Sequence, residues 1–139
     1  MKPLTIGYLL LLVLALSLCQ LPIANSLFNK FSVHIINGLN NQTIDVHCKS
    51  RDDDLGLHHL PVHGEFMWKF RVNIKSSTLY FCKWKWVKGH KTFDVFTTDE
   101  QFLGKYCGYD YCRWQGREDG LYGYSEKRRQ YVFAYKWDP

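Results

Sequence analysis

The sequence lacks the short signatures that mark many enzymes. It contains no G-x-S-x-G, no H-E-x-x-H and no C-x-x-C. The local marks of a nucleophile elbow, a zinc peptidase helix and a paired-cysteine metal site are therefore missing. After the first 26 residues no stretch keeps a helical period over three turns, which excludes a helical bundle. No internal repeat or low-complexity linker interrupts the chain, so nothing divides it into several domains. Basic residues are present but not crowded: 18 Lys and Arg against 13 Asp and Glu give a net charge of +5. A nucleic-acid binder would show a denser Lys/Arg cluster; weak attraction to anionic surfaces is what this charge implies.

Long apolar runs are scarce too, and the one that exists lies at the N-terminus. Lys2 precedes an apolar run from Leu4 to Leu18, Pro22 breaks it, and Ala24-Asn25-Ser26 supplies small residues. This is the pattern of a secretory signal. The run falls short of the roughly 20 residues a membrane span needs. Residues 1–26 are read as the signal, with cleavage after Ser26, and residues 27–139 as one secreted, extracellular domain without a transmembrane segment. Cys19 leaves with the signal. Cys48, Cys82, Cys107 and Cys112 remain, an even count that in a small secreted chain reads as two disulfides. Three connectivities are possible. A Cys107–Cys112 bridge closes a very small loop, and the two non-local pairings, which restrict the unfolded chain more, are favoured. The sequence does not choose between those two.

What the mature chain has in plenty is alternation and aromatic residues, the latter 17% of the whole. Ile44, Val46 and Cys48 share one parity; so do Phe66, Trp68, Phe70, Val72 and Ile74; so do Tyr80, Cys82, Trp84 and Trp86; and so do Tyr131, Phe133, Tyr135 and Trp137. Lys83 and Lys85 fall on the opposite parity. A period of two is that of a half-buried strand. FSVHII and TFDVF are shorter runs of the same kind. NGLNNQ, DDDLG, KGHK and EDG carry the Gly, Asn and Asp of tight turns. Short strands with frequent turns predict an all-β sandwich or barrel. Cys48 and Cys82 fall on inward positions, where a bridge through the core joining sheets is natural.

Several stretches invite a chemical reading. In CKSRDDDLG, from Cys48 to Gly56, the three acids are consecutive and Leu55 follows them. A calcium loop of EF-hand type needs alternating acids, a central Gly and a closing Glu, and a catalytic pair needs carboxylates in unlike environments. The stretch reads as a solvated turn whose Asp side chains bond nearby backbone N–H groups. His58, His59 and His63 lie around Pro61, which opposes a helix presenting them together, so no metal site is assigned. KWKWVKGHK, from Lys83 to Lys91, interleaves aromatics and lysines, but strand alternation accounts for it. Lys127, Arg128 and Arg129 form a second basic cluster. Asn41-Gln42-Thr43 is an N-glycosylation sequon between the first two strands, which places a glycan on Asn41. The histidines and Ser32, Ser50, Ser76, Ser77 and Ser125 carry no catalytic motif. A triad assembled from dispersed residues is defined by geometry alone.

Taken in order, CKSRDDDLG, GEFMWKF (Gly64 to Phe70), TLYFCKW (Thr78 to Trp84), FDVF (Phe93 to Phe96), the C-x4-C-x-W of Cys107, Cys112 and Trp114, and EDGLY (Glu118 to Tyr122) resemble the plant self-incompatibility S1 proteins, or S-protein homologues. The likeness covers nearly the whole mature chain, including all four cysteines. It implies a small disulfide-stapled antiparallel β-sandwich, secreted by a plant, with polar variable loops, no enzymatic activity and no cofactor. It also implies a signalling or recognition ligand for a cell-surface receptor or other extracellular protein, with self-incompatibility or reproduction as one setting. The loops expected to carry recognition are Arg51–His63, Val87–Lys91, Thr97–Tyr111 and Gly116–Arg129. The basic residues suit a weak contact with anionic cell-wall polysaccharide. Two other classes stand beside this reading. One is a cell-wall carbohydrate-binding protein using Tyr109, Tyr111 and Tyr124; the other is a small secreted hydrolase or an inhibitor of one.

Overall fold

A computed structural model describes residues 30–72, 77–108 and 110–139. The signal segment 1–26 with its cleavage point, and the positions of Ile74, Ser76 and Tyr109, lie outside the described residues. Phe31 to Pro139 form one compact unit. Its strands are β1 (Lys30–Asn37), β2 (Ile44–Ser50), β3 (Asp54–Leu60), β4 (Glu65–Arg71), β5 (Leu79–Trp86), β6 (Gly89–Thr97), β7 (Tyr111–Arg117), β8 (Gly120–Ser125) and β9 (Gln130–Tyr135), with one helix, α1 (Glu100–Tyr106), before β7. They make two sheets, ordered β4-β1-β7-β8-β9 and β3-β2-β5-β6. Pairing is antiparallel throughout the second sheet and between β7, β8 and β9. The exception is β1, which runs parallel to β7 with Ile35 beside Trp114.

The core lies between the sheets, built by the alternation read in the sequence. Tyr80, Cys82, Trp84 and Trp86 of β5 are buried while Lys83 and Lys85 are exposed. Trp84 and Trp114, one from each sheet, are the largest fully buried side chains. Each such indole removes about 200 Å² from water, an upper bound on the order of 4–5 kcal/mol. Trp114 also donates its indole N–H across the sandwich to the Val95 carbonyl at 2.9 Å. Phe66, Trp68 and Phe70 of β4 pack on this core from the sheet edge.

At β9 the expected parity fails. Phe133 is 54% exposed whereas Tyr135 packs on the core. A register shift opposite Leu121 and Tyr122 inserts one extra residue into β9. That bulge turns Tyr135 and Trp137 inward and leaves Tyr131 and Phe133 on the outer surface. Two segments expected as loops hold strands: β3 within Arg51–His63 and β8 within Gly116–Arg129. β8 passes for a loop because its inward positions include glycine. A Cβ on Gly123 would lie 2.6 Å from the Tyr106 ring and 3.0 Å from Trp114. Only a bare backbone fits beneath the tryptophan. The third segment, Thr97–Tyr111, holds α1. Its N-cap Asp99 accepts from the Phe102 N–H, and Phe102 and Tyr106, four residues apart, lie against Trp114. Two turns are too short to register as a helical period.

The disulfides correct two expectations. Cys48 pairs with Cys82 and Cys107 with Cys112, so neither favoured non-local connectivity is formed. Cys48 and Cys82 face each other on neighbouring strands of one sheet, so the bridge lies inside the core without joining the sheets. The short bridge forms because Cys107 ends α1 and Cys112 faces inward at the start of β7, which ties the helix end to the sheet it covers. From the separations of 34 and 5 residues, loop-closure entropy gives about 4 and 2 kcal/mol respectively. Replacing Cys48 and Cys82 by Ala should therefore cost more in denaturant unfolding than replacing Cys107 and Cys112.

Asn37 is fully buried and fully bonded. Its Nδ2 donates to the Gln42 and Leu60 carbonyls at 2.8 and 2.9 Å, and its Oδ1 accepts from the Leu39 N–H at 2.8 Å. Asn37→Ala leaves three backbone groups unpaired, and each buried orphan costs about 1–3 kcal/mol. The expected loss is about 3 kcal/mol or more, measured by chemical denaturation, against less than about 0.5 kcal/mol for an exposed control such as Asn40→Ala.

Candidate interaction surface

The two sheets show solvent unlike faces. On the four-stranded sheet, Lys49, Lys83 and Lys85 are interspersed with Asp45, Asp54 and Asp94. Lys49 lies 3.8 Å from Asp54, and Asp45 accepts from His59. This is a salt-laced solvated face. The DDD turn belongs to its edge. The Ser50 N–H donates to the Asp53 carbonyl at 2.8 Å, and the Asp53 N–H donates to the Ser50 hydroxyl at 3.1 Å. Asp54 opens β3, where its Oδ1 accepts from the Gly56 N–H at 2.9 Å and meets His47 Nε2 at 2.6 Å. The Gly56 amide, followed by His47, holds the Asp54 carboxyl below its ordinary value. Among the described hydrogen bonds, only Asp54 of the three acids bonds a backbone N–H through its side chain; Asp53 joins the turn through its backbone. Among the described residues no three His, Cys, Asp or Glu side chains converge as a metal site. His58 is stacked on Phe66, with its ring centroid 3.7 Å away, and His59 pairs with Asp45.

The five-stranded sheet presents aromatics and arginines. Strand β7 alternates Cys112, Trp114 and Gly116 inward with Tyr111, Arg113, Gln115 and Arg117 outward. The Arg113 guanidinium lies over Tyr111 at 4.8 Å and over Tyr124 at 5.0 Å; Arg117 lies over Tyr122 at 4.1 Å and over Tyr131 at 5.4 Å. Cation–π contacts of this kind hold the guanidinium against the ring face. Arg117 Nε also donates to Gln115 Oε1 at 2.8 Å. Phe133 meets Tyr122 edge-on, and Tyr111 is 39% exposed. Tyr111 and Tyr124, singled out for carbohydrate contact, are thus brought together, but with an arginine between them. The arginines and the bulge that exposes Phe133 were not found from sequence. The alternation of Tyr111, Arg113, Gln115 and Arg117 was the available signal, obscured because Gly116 and Gly123 made β7 and β8 look like turns.

Beneath Tyr111 lies a serine–histidine–glutamate arrangement. Ser32 Oγ is 3.3 Å from His34 Nε2, and His34 Nδ1 bonds Glu65. The order is that of an acyl-transfer triad. Ser32 and His34 are only 6% and 5% exposed, however, and the Tyr111 ring is stacked 4.0 Å above the imidazole. The shielded hydroxyl does not meet solvent as a nucleophile must. The contacts join β1 to β4 and give Tyr111 a platform. Ser125 is also occupied, accepting from the Arg128 N–H at 3.2 Å.

The fold is a small disulfide-bonded β-sandwich with one aromatic and cationic face. Comparison with known proteins gives its family. The family model described as plant self-incompatibility protein S1 matches residues 32–137. S-protein homolog 1 of Arabidopsis thaliana is 34% identical over 111 residues, spanning 79% of this chain and 73% of that protein. S-protein homolog 6 of the same plant is 39% identical over 104 residues, 74% of each. The chain belongs to the plant self-incompatibility S1 family. A solved structure of SPH proteins, described as a widespread family of small, highly stable, secreted proteins from plants, has the same fold with a TM-score of 0.61 at 19% identity, covering 80% of this chain and 96% of that one. An extracellular location agrees with this family and with the signal read at the N-terminus.

The surface has a spectroscopic handle. The Tyr122 hydroxyl donates to Asp119 Oδ2 at 2.6 Å. That bond, foremost among the causes, raises the Tyr122 phenol above its ordinary value, while Arg117 opposes it. The stability it contributes is therefore present below about pH 10 and is lost as pH rises through the folded-state value. Asp119→Asn should bring the Tyr122 phenolate midpoint down towards the ordinary value in an absorbance or NMR titration, leaving the other tyrosine midpoints in place.

Proposed function

We propose that this S-protein homologue is a non-enzymatic recognition ligand, secreted and then bound by a protein on the surface of another cell. The observation that carries this reading is the outer face of the five-stranded sheet. Tyrosine, arginine, phenylalanine and methionine are the residues enriched at protein interfaces, and here they lie side by side on a rigid sheet. Met67, Tyr111 and Phe133 are among the exposed large side chains. A face of hydrogen-bonded strands, with β7 tied to the end of α1 by the Cys107–Cys112 bridge, is pre-formed, so little order has to be gained on binding. The shielding of Ser32 and His34 supports a role in recognition rather than hydrolysis. Asn41 is exposed on the connection between β1 and β2, which supports glycosylation of its sequon; mass spectrometry of secreted protein before and after glycosidase treatment reads its occupancy.

The test is binding of labelled, folded, secreted protein to intact plant cells. Binding should saturate, yield to unlabelled protein, resist soluble pectin and disappear when the cells are first treated with protease. Binding that never saturates, or that pectin removes and protease does not, would replace the receptor reading with adhesion to wall polysaccharide.

A further inference from the structure

Building on that recognition role, we propose that the outer face of the five-stranded sheet docks an acidic protein segment, whose carboxylates are received by Arg113 and Arg117. Among the described residues neither guanidinium pairs with a carboxylate. The two acids bonded to this face are already engaged, Glu65 with His34 and Asp119 with Tyr122. Both arginines are held by tyrosine rings, so the ordering that normally opposes bidentate pairing is largely complete before binding. Arg117 uses Nε for Gln115 and also bonds the Tyr122 hydroxyl, which still leaves terminal N–H donors to meet a carboxylate.

The positive surface continues past Phe133. That ring lines an open cavity of about 460 Å³ together with Lys105, Lys127 and Arg128, and no acidic side chain contributes to its walls. The cavity opens on the α1 side of β9, the side to which Ser125 and Val132 point, so an acidic segment lying across β8 and β9 would meet the two arginines and the exposed Phe133, and would reach these three cations by passing round the β9 edge. The opposite sheet lacks this bias, since its lysines are interspersed with Asp45, Asp54 and Asp94.

Ring geometry favours a protein over a polyuronate. A sugar stacks on an open aromatic face. Here Arg113 lies over Tyr111 and Tyr124, Arg117 lies over Tyr122 and Tyr131, and His34 is stacked on Tyr111. What these rings and guanidiniums offer outward is hydrogen-bonding edges and apolar rims, suited to carboxylates interleaved with apolar side chains.

The probe is a fluorescein-labelled peptide of alternating glutamate and leucine, compared with an oligogalacturonate of equal charge, by anisotropy at physiological ionic strength. The peptide should bind more tightly than the oligogalacturonate. Arg113→Gln with Arg117→Gln should weaken peptide binding by about tenfold or more, since a charge-assisted hydrogen bond contributes about that factor. Lys83→Gln with Lys85→Gln, the same charge loss on the other sheet, should change it less than about twofold. Arg113→Lys with Arg117→Lys keeps the charge and loses the fork, so it should also bind more weakly; it supplies the measurement if the Gln variant does not fold. Equal weakening by the two Gln variants, or tighter binding of the oligogalacturonate, overturns the proposal. On cells, saturable binding by wild type and the Arg variants alike would refute this face while leaving the receptor role standing. Absence of saturable wild-type binding would refute that role, with the peptide measurement still deciding the face.

Discussion

One buried amide fixes the corner around which the sandwich is folded. The chain passes from one sheet to the other after β1 and returns after β3, and the Asn37 side chain touches both passages. It donates to Gln42 ahead of β2 and to Leu60 at the end of β3, and accepts from Leu39 in the turn between. Its backbone completes the knot, with its N–H donating to Gly64 and its carbonyl accepting from His63. Every one of these groups would be unsatisfied if the crossings shifted, and a low-dielectric interior makes unsatisfied groups costly. The corner sets β1 between β4 and β7, which in turn brings His34 under Tyr111 and Ser32 beside it in the parallel register.

From that corner the two halves of the molecule divide their work by parity. Inward positions carry tryptophan, cysteine and aliphatic side chains, and the glycines at 116 and 123 leave room for Ile44 and for the Tyr106 and Trp114 rings respectively. Outward positions differ by sheet. The four-stranded sheet mixes charges of both signs, which keeps an exposed surface solvated. The five-stranded sheet stacks arginine on tyrosine, an arrangement that retains charge while covering apolar area. Recognition was expected of four loops. Two of those stretches contain β3 and β8 and a third contains α1, so the chain offers much less irregular surface than its Gly and Asp content suggested. The broad exposed features that remain are the sheet faces.

How far the sequence could be read depended on the range of the interaction. β5 was legible because Trp84 and Trp86 alternate with Lys83 and Lys85 in a run without glycine. β8 was not, because glycine at an inward position signals a turn locally and a close approach of Trp114 and Tyr106 globally. The inward setting of Cys48 was legible, but the identity of its partner strand was not. Parity states which face a cysteine points to and leaves open whether the bond crosses the sandwich or the ladder. At β9 a single extra residue reversed the faces of Tyr135 and Phe133, a change that only pairing with β8 specifies.

By itself, the sequence determined a two-residue period, two disulfides' worth of cysteine, and ordered motifs specific enough to indicate the S1 family. These are properties of composition, local backbone geometry and residue order. The tertiary structure alone decided that Cys107 bonds Cys112, that β1 lies parallel to β7, that Ser32 and His34 are shielded beneath Tyr111 with the exposed Glu65 bonded to the imidazole, and that Arg113 and Arg117 stand among four tyrosines. Each of these joins side chains through strand register, a bulge or a helix end. Those placements are set by how the whole core fills its volume, and no local pattern encodes them.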